Sequence, residues 1–113
     1  TNAKVDLTTT NATVLYTAPS GADFNTSVVN SILVSEDSGN ADTITVTLTN
    51  GTTVFSLFKV KAVGANGTIE LLTKDLSLQS GEILKVTAAT ANRLHVVASI
   101  QEFAIHRTPQ SAL

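Results

Sequence analysis

Between Asp42 and Leu48 polar and apolar side chains alternate without a break, Asp-Thr-Ile-Thr-Val-Thr-Leu. A strand with that period puts Ile44, Val46 and Leu48 on one face and Thr43, Thr45 and Thr47 on the other. The same two-residue beat recurs on either side of it, and no helical period is sustained anywhere along the chain. Ala12 to Thr17 is the first clear strand, stopped by Pro19-Ser20-Gly21, where a missing amide and a flexible glycine break a ladder. Thr26 to Glu36 follows, with a change of phase near Asn30-Ser31 that predicts a bulge. Ser38-Gly39-Asn40 turns the chain into the Thr43 to Thr49 strand. Asn50-Gly51 then predicts a tight type I′ hairpin, since both residues tolerate positive φ. The return strand, Thr52 to Val60, is expected to face Val54 and either Phe55 or Phe58 inward.

Gly64-Ala65-Asn66-Gly67 marks the next corner, followed by strands at Thr68 to Leu72 and Leu76 to Leu78. Gln79-Ser80-Gly81-Glu82 reads as a turn into Ile83 to Ala88. Thr87 to Asn92 holds too much Thr and Asn for a helical turn and reads as a loop. Arg93 to Phe103 is the longest strand, with Leu94, Val96, Ala98 and Ile100 on one side. About eight strands at this spacing predict an all-β protein, a single antiparallel sandwich of jelly-roll type. Residues 1–11 read as an N-terminal arm or edge strand, 12–103 as the sandwich domain, and 104–113 as a tail that orders against a neighbour.

The 113 residues suffice for one domain with one core. Cysteine is absent, which removes disulfides and thiolate metal sites and leaves apolar burial to offset chain entropy. The formal charge of −2, from seven Lys and Arg against nine Asp and Glu, offers no basic patch for nucleic acid. Charged residues are 14% of the chain, against about 25% in an average soluble domain, so Thr, Ser and Asn carry its solubility. The apolar runs at Ile32 to Val34 and Leu94 to Ile100 fall well short of the roughly 20 residues that cross a bilayer; no secretory leader is visible in these residues, and no membrane partner is expected.

Candidate chemistry is sparse. His95 and His106 are the only histidines. His95 falls on the strand face opposite Leu94 and Val96, which suits a solvent-side or subunit-edge residue. A Ser/His/Asp triad is assembled in space rather than in sequence, yet no Gly-x-Ser-x-Gly elbow accompanies either histidine. Glu36, Asp37 and Asp42 crowd one turn without the ordered spacing of a calcium loop, and read as a hydrated hairpin tip; Asp75 and Glu82 read as ordinary turn residues. Asn-x-Ser/Thr triplets begin at Asn11, Asn25, Asn50 and Asn66; in a chain this rich in Asn and Thr they follow from composition, and no glycan is assigned. Sugar recognition favours exposed Trp and Tyr, and the chain has no Trp and one tyrosine, Tyr16. No enzyme, metal or cofactor is predicted.

Two stretches carry a family resemblance. Val14-Leu15-Tyr16-Thr17-Ala18-Pro19-Ser20-Gly21, followed by Val28-Val29-Asn30-Ser31-Ile32-Leu33-Val34-Ser35, resembles the opening of small β-sandwich structural proteins of tailed bacteriophages. Gly81-Glu82-Ile83-Leu84-Lys85-Val86-Thr87-Ala88, with Ala91-Asn92-Arg93-Leu94-His95-Val96-Val97-Ala98-Ser99-Ile100-Gln101-Glu102, is similar to their closing hairpin. The resemblance spans residues 13 to 102 and implies a virion part, with a capsid decoration (cement) protein first and a tail, neck or fibre subunit as the alternative. Decoration proteins of this kind are often trimers seated on the capsid exterior, so the implied partners are further copies of the chain and the major capsid protein. A host-surface or carbohydrate-binding module is the reading from another class.

The pattern points to assembly independently. Apolar residues occur on both faces of some strands (Val97 beside Val96, Val29 beside Val28, Phe58 beside Leu57), more than one small core requires. Val29, Phe58, His95 and Val97, with Phe103, Ile105, His106 and Arg107 toward the tail, are the expected interface residues, and a closed symmetric homo-oligomer is the expected form, for which the resemblance implies a trimer first.

Overall fold

The computed structural model describes residues 1–20 and 24–104, and among these nine strands and no helix are formed. They are β1 (Asn2–Asp6), β2 (Thr13–Thr17), β3 (Phe24–Glu36), β4 (Asp42–Thr49), β5 (Val54–Val63), β6 (Thr68–Glu70), β7 (Leu76–Gln79), β8 (Ile83–Ala88) and β9 (Leu94–Ala104). One sheet runs β1-β9-β3, with β6 and β7 both pairing the far side of β3; the other runs β2-β8-β4-β5. All pairings are antiparallel. Each sheet alternates strands from the start and the end of the chain, which is the jelly-roll order of eight strands with the sixth split into β6 and β7. That split accounts for nine strands where about eight are expected.

The alternation read from the sequence holds along the central strands. Ile44 and Val46 on β4, Leu84, Val86 and Ala88 on β8, and Leu94, Val96, Ala98 and Ile100 on β9 are buried between the sheets with Val29, Ile32 and Val34 of β3. At about 1.5–3 kcal/mol for each large side chain removed from water, this one core supplies the main stabilising term. The phase change in β3 is a bulge between Val29 and Ser31, which lets Val29 and Ile32 both face inward.

Residues 30–32 fall between the β7 and β6 pairings, and there the Glu70 carboxylate takes over from the ladder. It accepts the Ile32 amide at 2.7 Å and the Leu72 amide at 3.2 Å, and it also bonds Ser31 Oγ. Burial pushes this carboxyl up, but those hydrogen bonds outweigh it and hold the group below its ordinary range.

The β4–β5 connection departs from the predicted hairpin. Thr49 pairs Val54, so the loop has four residues, 50–53, rather than a two-residue type I′ turn. Gly51 alone takes positive φ there, +94°, while Asn50 Oδ1 accepts the amides of Thr52 at 3.0 Å and Thr53 at 2.9 Å. The asparagine thus works through its side chain, as in an Asx turn. On β5 two register irregularities, between Ile44 and Val46 and between Val46 and Thr47, reset the side-chain phase. Val54 consequently points to solvent, 64% exposed, contrary to its expected inward setting. Phe55 is half exposed, and Phe58, opposite Val46, packs partly against the core.

Candidate interaction surface

The polar clusters come first, because they decide whether the fold carries chemistry. Glu36 is not part of a hydrated tip: it is 2% exposed. Its carboxylate accepts the amides of Ser38 at 2.7 Å, Gly39 at 3.0 Å and Asn66 at 3.0 Å, together with the Ser38 hydroxyl. Burial opposes its ionisation, and hydrogen bonds from Ser38, Asn66 and Gly39 overcome that and hold the pKa at about 2. One buried carboxylate thereby ties the β3–β4 turn to the β5–β6 turn, where Asn66 takes φ +56°. Asp42, 8% exposed, accepts the Thr90 amide at 3.0 Å and anchors the β8–β9 turn. Glu36 and Asp42 are committed to backbone donors, and among the described residues no group of three His, Cys, Asp or Glu is placed to hold a metal ion.

At the other end of the sandwich Tyr16 bridges the sheets. Its ring is 9% exposed; its hydroxyl donates to Glu102 at 2.5 Å and receives the proton of Ser27 Oγ at 3.0 Å. Burial and the adjoining Glu102 carboxylate push the phenol up to about 12. The one tyrosine is therefore an internal strut, closed to a sugar ring.

His95 lies on the outer face of β9. Its Nε2 is 3.2 Å from Asp6 of β1 and its Nδ1 3.6 Å from Asp37 of the β3–β4 turn. Carboxylates occupy both ring nitrogens, so neither faces a hydroxyl as a hydrolytic triad requires.

The remaining expected contact residues separate. Val29 is wholly buried beneath β3 and is removed from the surface set, because the bulge after it turns its side chain into the core. Val97 pairs Leu33 and Lys4 across the outer face of its sheet, with Val97 38% and Leu33 42% exposed. Phe103 is half exposed near the end of β9. Ile105, His106 and Arg107 lie outside the described residues.

Sequence reading missed the β5 edge. Among the described residues no strand pairs its outer side, and Val54, Phe55 and Val60 are all exposed along it. Val60 holds φ +54°, an outlier for a β-branched residue, with its amide bonded to Thr45 Oγ1 at 3.1 Å. Beside this edge Leu57, Phe58, Leu72 and Leu76 line a groove of ≈ 480 Å³ shared with the β6–β7 connection. The sequence signal was the run Val54-Phe55-Ser56-Leu57-Phe58, apolar on both faces and free of charge.

The architecture and surfaces define an all-β jelly roll whose distinctive exterior feature is the apolar β5 edge, unpaired among the described residues. No family model and no curated protein sequence matches the chain. Two solved structures share the fold, both described as a pentameric capsid protein isolated from metagenomic phage sequences. Each aligns at TM-score 0.50 and 19% identity over 92% of this chain. The chain spans 62% of the length of one and 60% of the other.

Proposed function

We propose that this chain is a non-enzymatic structural protein of a bacteriophage particle, a capsid decoration (cement) protein that assembles with itself and seats on the capsid exterior against the major capsid protein. The observation that carries the reading is the apolar β5 edge, unpaired among the described residues, on a fold shared with pentameric phage capsid proteins. An edge of this composition is a liability in a solitary protein and an asset in an assembling one. The polar groups are spent on structure, since Glu36, Asp42, Glu70 and Tyr16 hold turns and sheets together. The resemblance to decoration proteins implies a trimer; the pentameric neighbours favour a ring of five, and either is a closed cyclic assembly.

The test is to mix the purified protein with phage capsids stripped of accessory proteins and image them. Regular added density at symmetry-related positions on the shell supports the cement reading. Binding confined to a single vertex or a tail tube moves the protein to neck or tail, and a monomer that binds neither particle overturns the structural role.

A further inference from the structure

Two opposite flanks of the sandwich match each other. In the β2-β8-β4-β5 sheet one row of partners runs from Val14 through Lys85 and Thr47 to Ser56. Val14, 48% exposed on β2, therefore sits at the same height as the Phe55 stretch of β5, where Phe55 is also 48% exposed. Nearer the end of the sandwich that carries the β3–β4 and β5–β6 turns, β5 presents the exposed Lys59 and Lys61. Toward that same end, on the β1 side, Asp6 and Asp37 flank His95 with side chains 61% and 66% exposed. Apolar faces apolar at mid-height, and positive faces negative near the turns.

We infer that β5 of one copy docks against the β1–β2 flank of a second copy, Phe55 meeting Val14 and Lys59 and Lys61 meeting Asp6 and Asp37. The inference rests on the self-assembly proposed above and names its contact. Because the two surfaces differ, the contact is heterologous; repeated with a rotation that closes, it builds a ring. The alternative twofold pairing of β5 with β5, centred on its charged half, brings two pairs of lysines together and is disfavoured.

The experiment uses the full chain and follows its mass by light scattering and analytical ultracentrifugation, with circular dichroism confirming the fold. The Lys59→Glu/Lys61→Glu double variant is expected to raise the concentration at half-assembly by about tenfold or more. Adding Asp6→Lys and Asp37→Lys to the same chain restores the complementarity reversed and is expected to recover the assembly. Wild-type assembly should also weaken as salt shortens the screening length from about 10 Å at 0.1 M to about 3 Å at 1 M. A wild-type oligomer untouched by the lysine reversals, or a loss that the fourfold variant does not recover, overturns this contact while leaving self-assembly intact. A wild-type chain that is monomeric at every concentration overturns both.

Discussion

Replacing Tyr16 by phenylalanine removes one oxygen and tests the strut between the sheets. The hydroxyl makes two hydrogen bonds, one to the Glu102 carboxylate and one from the nearly buried Ser27. Glu102 is exposed and regains water, so losing its bond costs about 1 kcal/mol net. Ser27, 2% exposed, is left with a donor that water cannot reach, which adds about 1–2 kcal/mol. The sum is about 2–3 kcal/mol. At about 2.1 cal/mol/K of unfolding entropy per residue, the 113 residues convert each kcal/mol into a fall in Tm of about 4 °C, giving about 8–12 °C at fixed protein concentration. Ser27→Ala in the Tyr16→Phe background removes the stranded donor, so the second substitution should recover about 1 kcal/mol rather than add damage. Urea denaturation of the wild type, both single variants and the double variant measures the cycle. The phenol also predicts a pH effect. Its pKa is raised from 10.0 to about 12, so the stabilisation is complete below pH 10 and fades as pH climbs through about 12, a loss that Tyr16→Phe lacks. A Tyr16→Phe protein within about 0.5 kcal/mol of wild type, or a Ser27→Ala change that further destabilises it, refutes the strut.

Glu36→Gln should lower Tm at neutral pH and flatten its acid limb. The wild-type carboxyl is depressed from 4.5 to about 2, so its contribution is present above pH 4.5 and drains away as pH falls toward 2, which a Tm-versus-pH series reads directly. Val60→Asn places a residue tolerant of positive φ at the strained site on β5 and should stabilise the protein by about 0.5–1 kcal/mol in urea denaturation, since the exposed valine gives up little packing. Leu84→Ala, at a fully buried position on β8, should cost about 2–5 kcal/mol by thermal or chemical unfolding.

Central strands were legible because both of their neighbours are fixed and the two-residue period survives: Ile83–Ala88 falls where the alternation places it, and the bulge near Asn30 follows from its phase change. Val54 was misplaced because two irregularities between β4 and β5 break the parity that sequence counting assumes. Asn50-Gly51 marked a turn correctly but not its length, since an asparagine can cap a loop with its side chain as readily as with positive φ. Glu36 read as solvated because its partners are backbone amides, one of them thirty residues away, and amides have no signature in sequence. Val29 reads as surplus to the core when the parity of Ile32 and Val34 is extended back along β3, and the bulge between Val29 and Ser31 reverses that parity. The β5 edge was composed of visible residues; that it lacks a partner is a property of strand order, which no local pattern encodes.

Strand order also governs when the molecule can come into being. One interior position in each sheet is taken by β8 (Ile83–Ala88) or β9 (Leu94–Ala104), each wedged between strands that lie much earlier in the chain. A segment that stops before β8 holds β1 to β7 with an open slot in each layer, between β2 and β4 in one and between β1 and β3 in the other. Folding therefore waits for β8 and β9 and proceeds through contacts distant along the chain, which makes it slow and leaves a chain cut before β8 sticky rather than partly functional.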